Sequence, residues 1–453
     1  MVLESPSPGW AEGSCVRTII KLGGLALAIG LGASACHVGG GYTVGGTVTG
    51  LNGSGLVLQL NGGNNLGFSS GGTFTFSAGI DQGGSYSVTV LTQPSGQTCS
   101  VHNGSGTIGT ADISNVVVNC SLPGNFAYVA NESSNSISAY AIDASTGALV
   151  PLAGSPFAAT GSGPVAVAVD PNGAYLYVAN NASNTVSVYA IDPATGALTA
   201  VGEPTGSGNG PFALLVDPSN QFLFVVNKTD NTVSVFATGS GGSLTSISGS
   251  PFSVGSEPTS LATDPGGNFL YVTTYAQNAV AVFSIEPGGG ALAAIGGSPF
   301  AAGSGALSVA VDPTGTLAYV ANETGDSVSM YSLNADTGAL AALSGSPRAL
   351  GSQAESVAVD PAGKFLLVST SANELSSLAI TPANGALTAV STVGTGTFPL
   401  DVVINPQGTL AFVANENSAD ISVYAINTTT GALTQVAGSP FAAGDVPRSI
   451  AID

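Results

Sequence analysis

From Ser121 to the C-terminus the chain repeats itself, and the length of the repeat leaves few folds open. The turn Asp170-Pro171-Asn172-Gly173 has counterparts with prolines at Pro123, Pro218, Pro265, Pro313, Pro361 and Pro406, 45 to 48 residues apart, within the range of β-propeller blades. Aspartate first, proline second and glycine fourth is the composition of a type I turn: proline presets φ, and the aspartate accepts from the backbone beyond it. Asn220 replaces the glycine once and Asn405 the aspartate once. Each repeat holds four strand-sized segments, seen in the second copy as PVAVAVD, AYLYVAN, TVSVYAI and ALTAV, and four short strands make one blade. The second segment recurs at Tyr128, Tyr177, Phe224, Tyr271, Tyr319, Leu367 and Phe412, which predicts seven blades over residues 122–453. The terminal SIAID, ending at Asp453, is expected to be the innermost strand of the blade begun by residues 126–153. Pairing the two ends of the domain leaves no open sheet edge.

Two further segments precede the ring. Residues 42–121 alternate apolar and polar positions in short runs such as GLVLQL and SYSVTVLTQ, which predicts a small antiparallel β-sandwich over 36–121 and an all-β chain throughout. Residues 17–36 read RTIIKLGGLALAIGLGASAC, a basic start, an apolar run and a small-residue cleavage site, the order of a secretory signal. Residues 1–35 are therefore set apart from the fold. Cleavage before Cys36 leaves an N-terminal cysteine, and the segment resembles a bacterial lipoprotein signal, which implies lipidation of Cys36 and a membrane partner through that anchor. Ala33-Ser34-Ala35 also suits ordinary signal cleavage, with release as the alternative. Export places Cys99 and Cys120 in an oxidising compartment, where a disulfide between them is expected.

Composition then narrows the function. Acidic residues number 26 and basic residues 6, a formal charge of −20, so a nucleic acid is repelled rather than recruited. The two histidines, His37 and His102, stand ahead of the repeats, so acid–base chemistry in the ring has few residues to draw on. There is no CxxC, CxxCH or zinc-spaced His/Cys set, and neither a metal nor a cofactor is expected.

The recurrent YVAN, VSVYAI, TGAL, GSPF and VDPxG segments resemble the bacterial seven-bladed propellers grouped as 6-phosphogluconolactonase-like lactonases and Tyr-Val-Thr-Asn repeat proteins. In those lactonases the innermost strand typically begins Gly-Pro-Arg-His, which implies a guanidinium and an imidazole at the channel mouth. The matching dipeptides here are Val165-Ala166, Phe212-Ala213, Thr259-Ser260, Leu307-Ser308, Glu355-Ser356, Leu400-Asp401 and Arg448-Ser449, with one arginine and no histidine. What this leaves is Glu355, Asp401 and Arg448 on consecutive inner strands, with Asp445 just before the last. Such a group binds a cation or polar ligand or acts as acid and base, with Glu355, Asp401 and Arg448 as the catalytic candidates; the plainer alternative is an ion-paired rim. The repeated aspartates read as turn formers, the phenylalanines of GSPF as wedges between blades, and Arg348, which replaces one of them, as a solvated variant or an anion contact.

These readings add up to an exported, lipid-anchored propeller without catalysis, whose face binds a protein or small-molecule ligand and whose sandwich holds it off the membrane. The resemblance implies the alternative, a lactonase acting on a sugar lactone at the channel mouth. A surface-array or adhesion protein is the third reading.

Overall fold

The computed structural model describes residues 41–453 except 52–53, 95–97, 122–125, 144 and 194; the expected signal, Cys36 and Pro123 lie outside the described residues. The repeats form seven antiparallel sheets. In the second blade Pro164–Val169 pairs with Tyr175–Asn180, which pairs with Thr185–Ile191, which pairs with Leu198–Ala200. Second strands such as Phe126–Asn131 and Phe222–Asn227 are buried from end to end, because each blade is covered on both faces by its neighbours; this is why they read as unbroken apolar runs. The core is accordingly divided among the gaps between consecutive blades: Tyr128 and Leu176 share one cluster, Phe224 and Leu270 another. The ring closes as expected. Pro447–Ile452 pairs with Phe126–Asn131, Ile450 lying opposite Val129, and the Phe126 N–H donates to the Asp453 side chain.

The repeated aspartates cap turns. Asp170 Oδ1 accepts the N–H groups of Ala174 and Tyr175 at 2.6 and 2.7 Å, and Gly173 takes φ of 67°. Asn405 keeps both bonds, to Thr409 and Leu410, and Asn220 in place of glycine adopts φ of 57°, as asparagine tolerates. The Gly-Ser-Pro-Phe run splits the outermost strand: between Leu292–Ala294 and Phe300–Ala301 the Ser298 hydroxyl accepts the Val282 N–H. Phe300 packs on the cluster between the fourth and fifth blades, as a wedge should. Arg348 is not simply solvated, since its Nη1 donates to the Leu387 carbonyl of the next blade.

Residues 42–121 fold as two four-stranded sheets. One contains Gly72–Thr75, Val44–Thr49, Ile113–Ser121 and Thr98–His102; the other contains Asn64–Phe68, Leu56–Leu60, Ser85–Thr92 and Ser105–Thr107. Val44, Leu56, Leu58, Val116 and Val118 are fully buried between them. The pairing is not wholly antiparallel, because Val44–Thr49 runs parallel to Ile113–Ser121. These are the outermost two strands of the module in sequence, so the rest of it serves as the long crossover that parallel pairing needs. Cys99 faces Cys120 across the adjoining ladder and is bonded to it. The sandwich rests on turns at the far ends of the inner strands: Asn119 donates to the Pro218 carbonyl, and His102 Nδ1 lies 3.3 Å from that of Pro265.

Candidate functional site

All seven inner strands slip register at the same place, after their first residue. Between Ala354 and Ser356 the slip leaves Glu355 without a cross-strand partner, and between Pro447 and Ser449 it does the same to Arg448. A bulge re-aims the side chain it carries. The bulged residues, with those just below them, line a cavity of about 360 Å³ in the channel.

Glu355 is 3% exposed, and its Oε1 has no hydrogen-bond partner. Burial first, and then the charges of Glu323 and Glu416, push its carboxyl up to about 7. At neutral pH it is therefore divided between acid and base, which suits a group that must both take and return a proton. Arg448 is ion-paired, though not with the acids the sequence suggested: Nε contacts Glu132 at 2.5 Å and Nη1 contacts Glu416 at 3.0 Å.

Glu132, Glu323 and Glu416 were missed by the sequence reading, and they share one repeat position, directly after the strand-ending Asn131, Asn322 and Asn415. Lys228 and Tyr275 hold the same place in the third and fourth blades. Each donates its N–H to a carbonyl just ahead of an inner strand, Glu416 to Phe398 and Glu132 to Val446, which sets the whole series around the mouth. A hydrogen bond to Glu323 is the main reason the Tyr275 phenol is pushed up to about 12. The Lys228 ammonium lies 4.8 Å from the Phe212 ring centre and 5.7 Å from that of Tyr275, within cation–π range. The signal in the sequence was one position after YVAN whose charge changes from blade to blade while its surroundings repeat.

Asp401 lies one tier deeper. There Ser260, Ser308, Ser356 and Ser449 each accept an N–H from the inner strand of the following blade, namely those of Val309, Val357, Val402 and Val167. Asp401 occupies the same position and does the same work, its Oδ2 accepting the Ile450 N–H at 2.9 Å while Oδ1 faces the Ser356 hydroxyl. Burial pushes its carboxyl up, and these donors partly offset that. Glu355, Asp401 and Arg448 thus share one cavity wall, whereas Asp445 is exposed in the turn before the last strand and lies off the lining. His102, on the sandwich, is held at the opposite end of the inner strands.

The sequence profile described as Lactonase, 7-bladed beta-propeller matches residues 92–210, 203–295 and 253–446. A putative 6-phosphogluconolactonase from Bacteroides uniformis superposes with a TM-score of 0.64 at 22% identity, over 72% of this chain and 99% of its own. The periplasmic gluconolactonase of Pseudomonas aeruginosa gives 0.63 at 22% identity, over 72% and 98%. Kuenenia stuttgartiensis hydrazine synthase gives 0.51 at 22% identity, over 66% and 92%. At such identities the likeness is one of fold. No curated protein matches the chain significantly.

Proposed function

Because the chain belongs to the family of seven-bladed β-propeller lactonases, we propose that it hydrolyses the ester bond of a lactone at the channel mouth. One observation carries this reading: Glu355 is a buried carboxyl with an unpartnered oxygen and a proton affinity near neutrality, on the same cavity wall as a guanidinium. The ionised Glu355 takes a proton from water as the water oxygen bonds to the lactone carbonyl carbon. Arg448 stabilises the negative charge that builds on the carbonyl oxygen. As the ring C–O bond breaks, Glu355 returns the proton to the departing oxygen, leaving the open hydroxy acid and the original carboxylate.

A binding propeller without turnover is favoured by a different observation. Six of the seven inner-strand dipeptides lack the arginine that the family motif implies, all seven lack the histidine, and His102 stands at the far end of the strands. Acid release from glucono-1,5-lactone, followed in a pH-stat above the buffer rate for the purified protein and for Glu355→Gln, decides between them. Turnover that the variant loses supports hydrolysis, and none in the parent leaves the binding reading.

Export and anchoring at Cys36 belong to the same proposal, on the strength of the signal-like segment and the oxidised Cys99–Cys120 pair. Intact-mass spectrometry of membrane-extracted protein tests them; an unmodified N-terminus, or one elsewhere than Cys36, overturns the anchor.

A further inference from the structure

We infer that the lactone admitted by this mouth is an uncharged polyhydroxy lactone and that its phosphate ester is excluded. The inference rests on the hydrolytic reading above and names its substrate class. Four carboxylates gather on the rim: Glu132, Glu323, Glu416 and Glu257, whose carbonyl accepts the Tyr275 N–H. Two cations stand against them, and both are engaged, Arg448 by Glu132 and Glu416 and Lys228 by the rings of Phe212 and Tyr275. The rim is therefore net negative before Glu355 ionises, inside a molecule of charge −20.

A phosphate dianion entering here would give up water for a guanidinium already shared with Glu132 and Glu416, and would meet carboxylates of its own sign. The acidic rim does not stand alone as an argument, because the carboxyl of Glu355, 3% exposed and unpartnered at Oε1, points to an occupant of the cavity itself. Below it the wall carries hydroxyls and one further carboxyl, that of Asp401. Ser260 and Ser308 use an oxygen lone pair on the neighbouring strand, and a hydroxyl that accepts still has its proton to donate; the protons of Ser356 and Ser449 go to Asp401. Leu307, Leu400 and Phe212, bulged like Glu355, supply apolar faces above these donors. A ring bearing hydroxyls on apolar carbons is the complement of such a wall.

The test compares kcat/KM for glucono-1,5-lactone and 6-phosphoglucono-1,5-lactone at low and raised salt. The neutral lactone is expected to lead by at least about tenfold, and only the phosphorylated one should gain as salt screens the rim. Glu323→Gln should narrow the gap. Equal or better turnover of the phosphate ester overturns the inference and leaves the hydrolytic reading standing, all the more if Lys228→Gln then abolishes it by removing the cation that received the phosphate. Turnover of neither lactone sinks the hydrolytic reading instead, and calorimetry with glucono-1,5-lactam and its 6-phosphate then judges the charge selectivity alone. Binding confined to the neutral lactam supports it; equal binding, or none, overturns it.

Discussion

Glu355 and Asp401 stand on adjacent inner strands, one tier apart, in opposite surroundings. Glu355 is almost wholly buried and keeps an unpartnered oxygen, while Asp401, half-buried on the channel wall, is bonded to Ile450 and faced by Ser356. The more exposed acid is the satisfied one. The bulge separates them, because it removes Glu355 from the ladder and turns it toward the mouth, whereas Asp401 falls where the serines of other blades lace strand to strand. Burial by itself therefore marks neither a site nor a structural role. What distinguishes the two is whether the fold has already used the oxygens.

The contrast breaks first on activity. Glu355→Gln should lower kcat by about two to four orders of magnitude, the usual worth of a positioned acid–base group, with circular dichroism unchanged. Asp401→Asn should keep most of its turnover in the same assay, and equal losses would erase the distinction. Next comes pH. With its folded carboxyl raised to about 7 from 4.5, Glu355 binds its proton more tightly in the native state than in the unfolded one. Stability should then fall as pH rises from 4.5 to 7, by at most roughly 3 kcal/mol, while the rate rises through the same upper limb as the base form appears. Urea titrations across that window should show the slope in the parent and its absence in Glu355→Gln.

Asp401 and Ser356, bonded to each other and to neighbouring strands, should respond in stability alone. Asp401→Ala leaves the Ile450 N–H without its acceptor and should cost about 1–3 kcal/mol. Asp401→Ser, which restores the residue found at this position in four other blades, should recover most of that; if serine proves no better than alanine in chemical unfolding, the lacing account is wrong. The smallest effect is expected from Ser356→Ala, which removes an acceptor of the Val402 N–H and should cost about 1 kcal/mol without moving KM, the Ser356 proton being committed to Asp401.

Much of this molecule is legible in its residues. The Asp-Pro-x-Gly turns announce seven blades because each is a local device, an aspartate capping the backbone four and five residues on. The buried second strands announce themselves by unbroken apolar runs, and the last strand's place in the first blade follows from the count. Glu355 and Arg448 were also within reach, as the odd charges in an otherwise neutral repeat position. Asp401 was read as their equal because a dipeptide in sequence carries no sign of a bulge between its two residues.

Sequence by itself determined the all-β ring and its closure, since these follow from periods and turn chemistry that act over a few residues. Only the tertiary structure decided which charges meet. Arg448 finds Glu132 from 316 residues away and Glu416 from 32, and Glu355 lies under the charges of Glu323 and Glu416 from two other blades. The physical reason is that the mouth is built from one residue per strand end, each strand belonging to a different blade. The electrostatic neighbours of any one side chain are set by ring closure and by the bulge that turns it inward, and neither is written in the residues on either side of it.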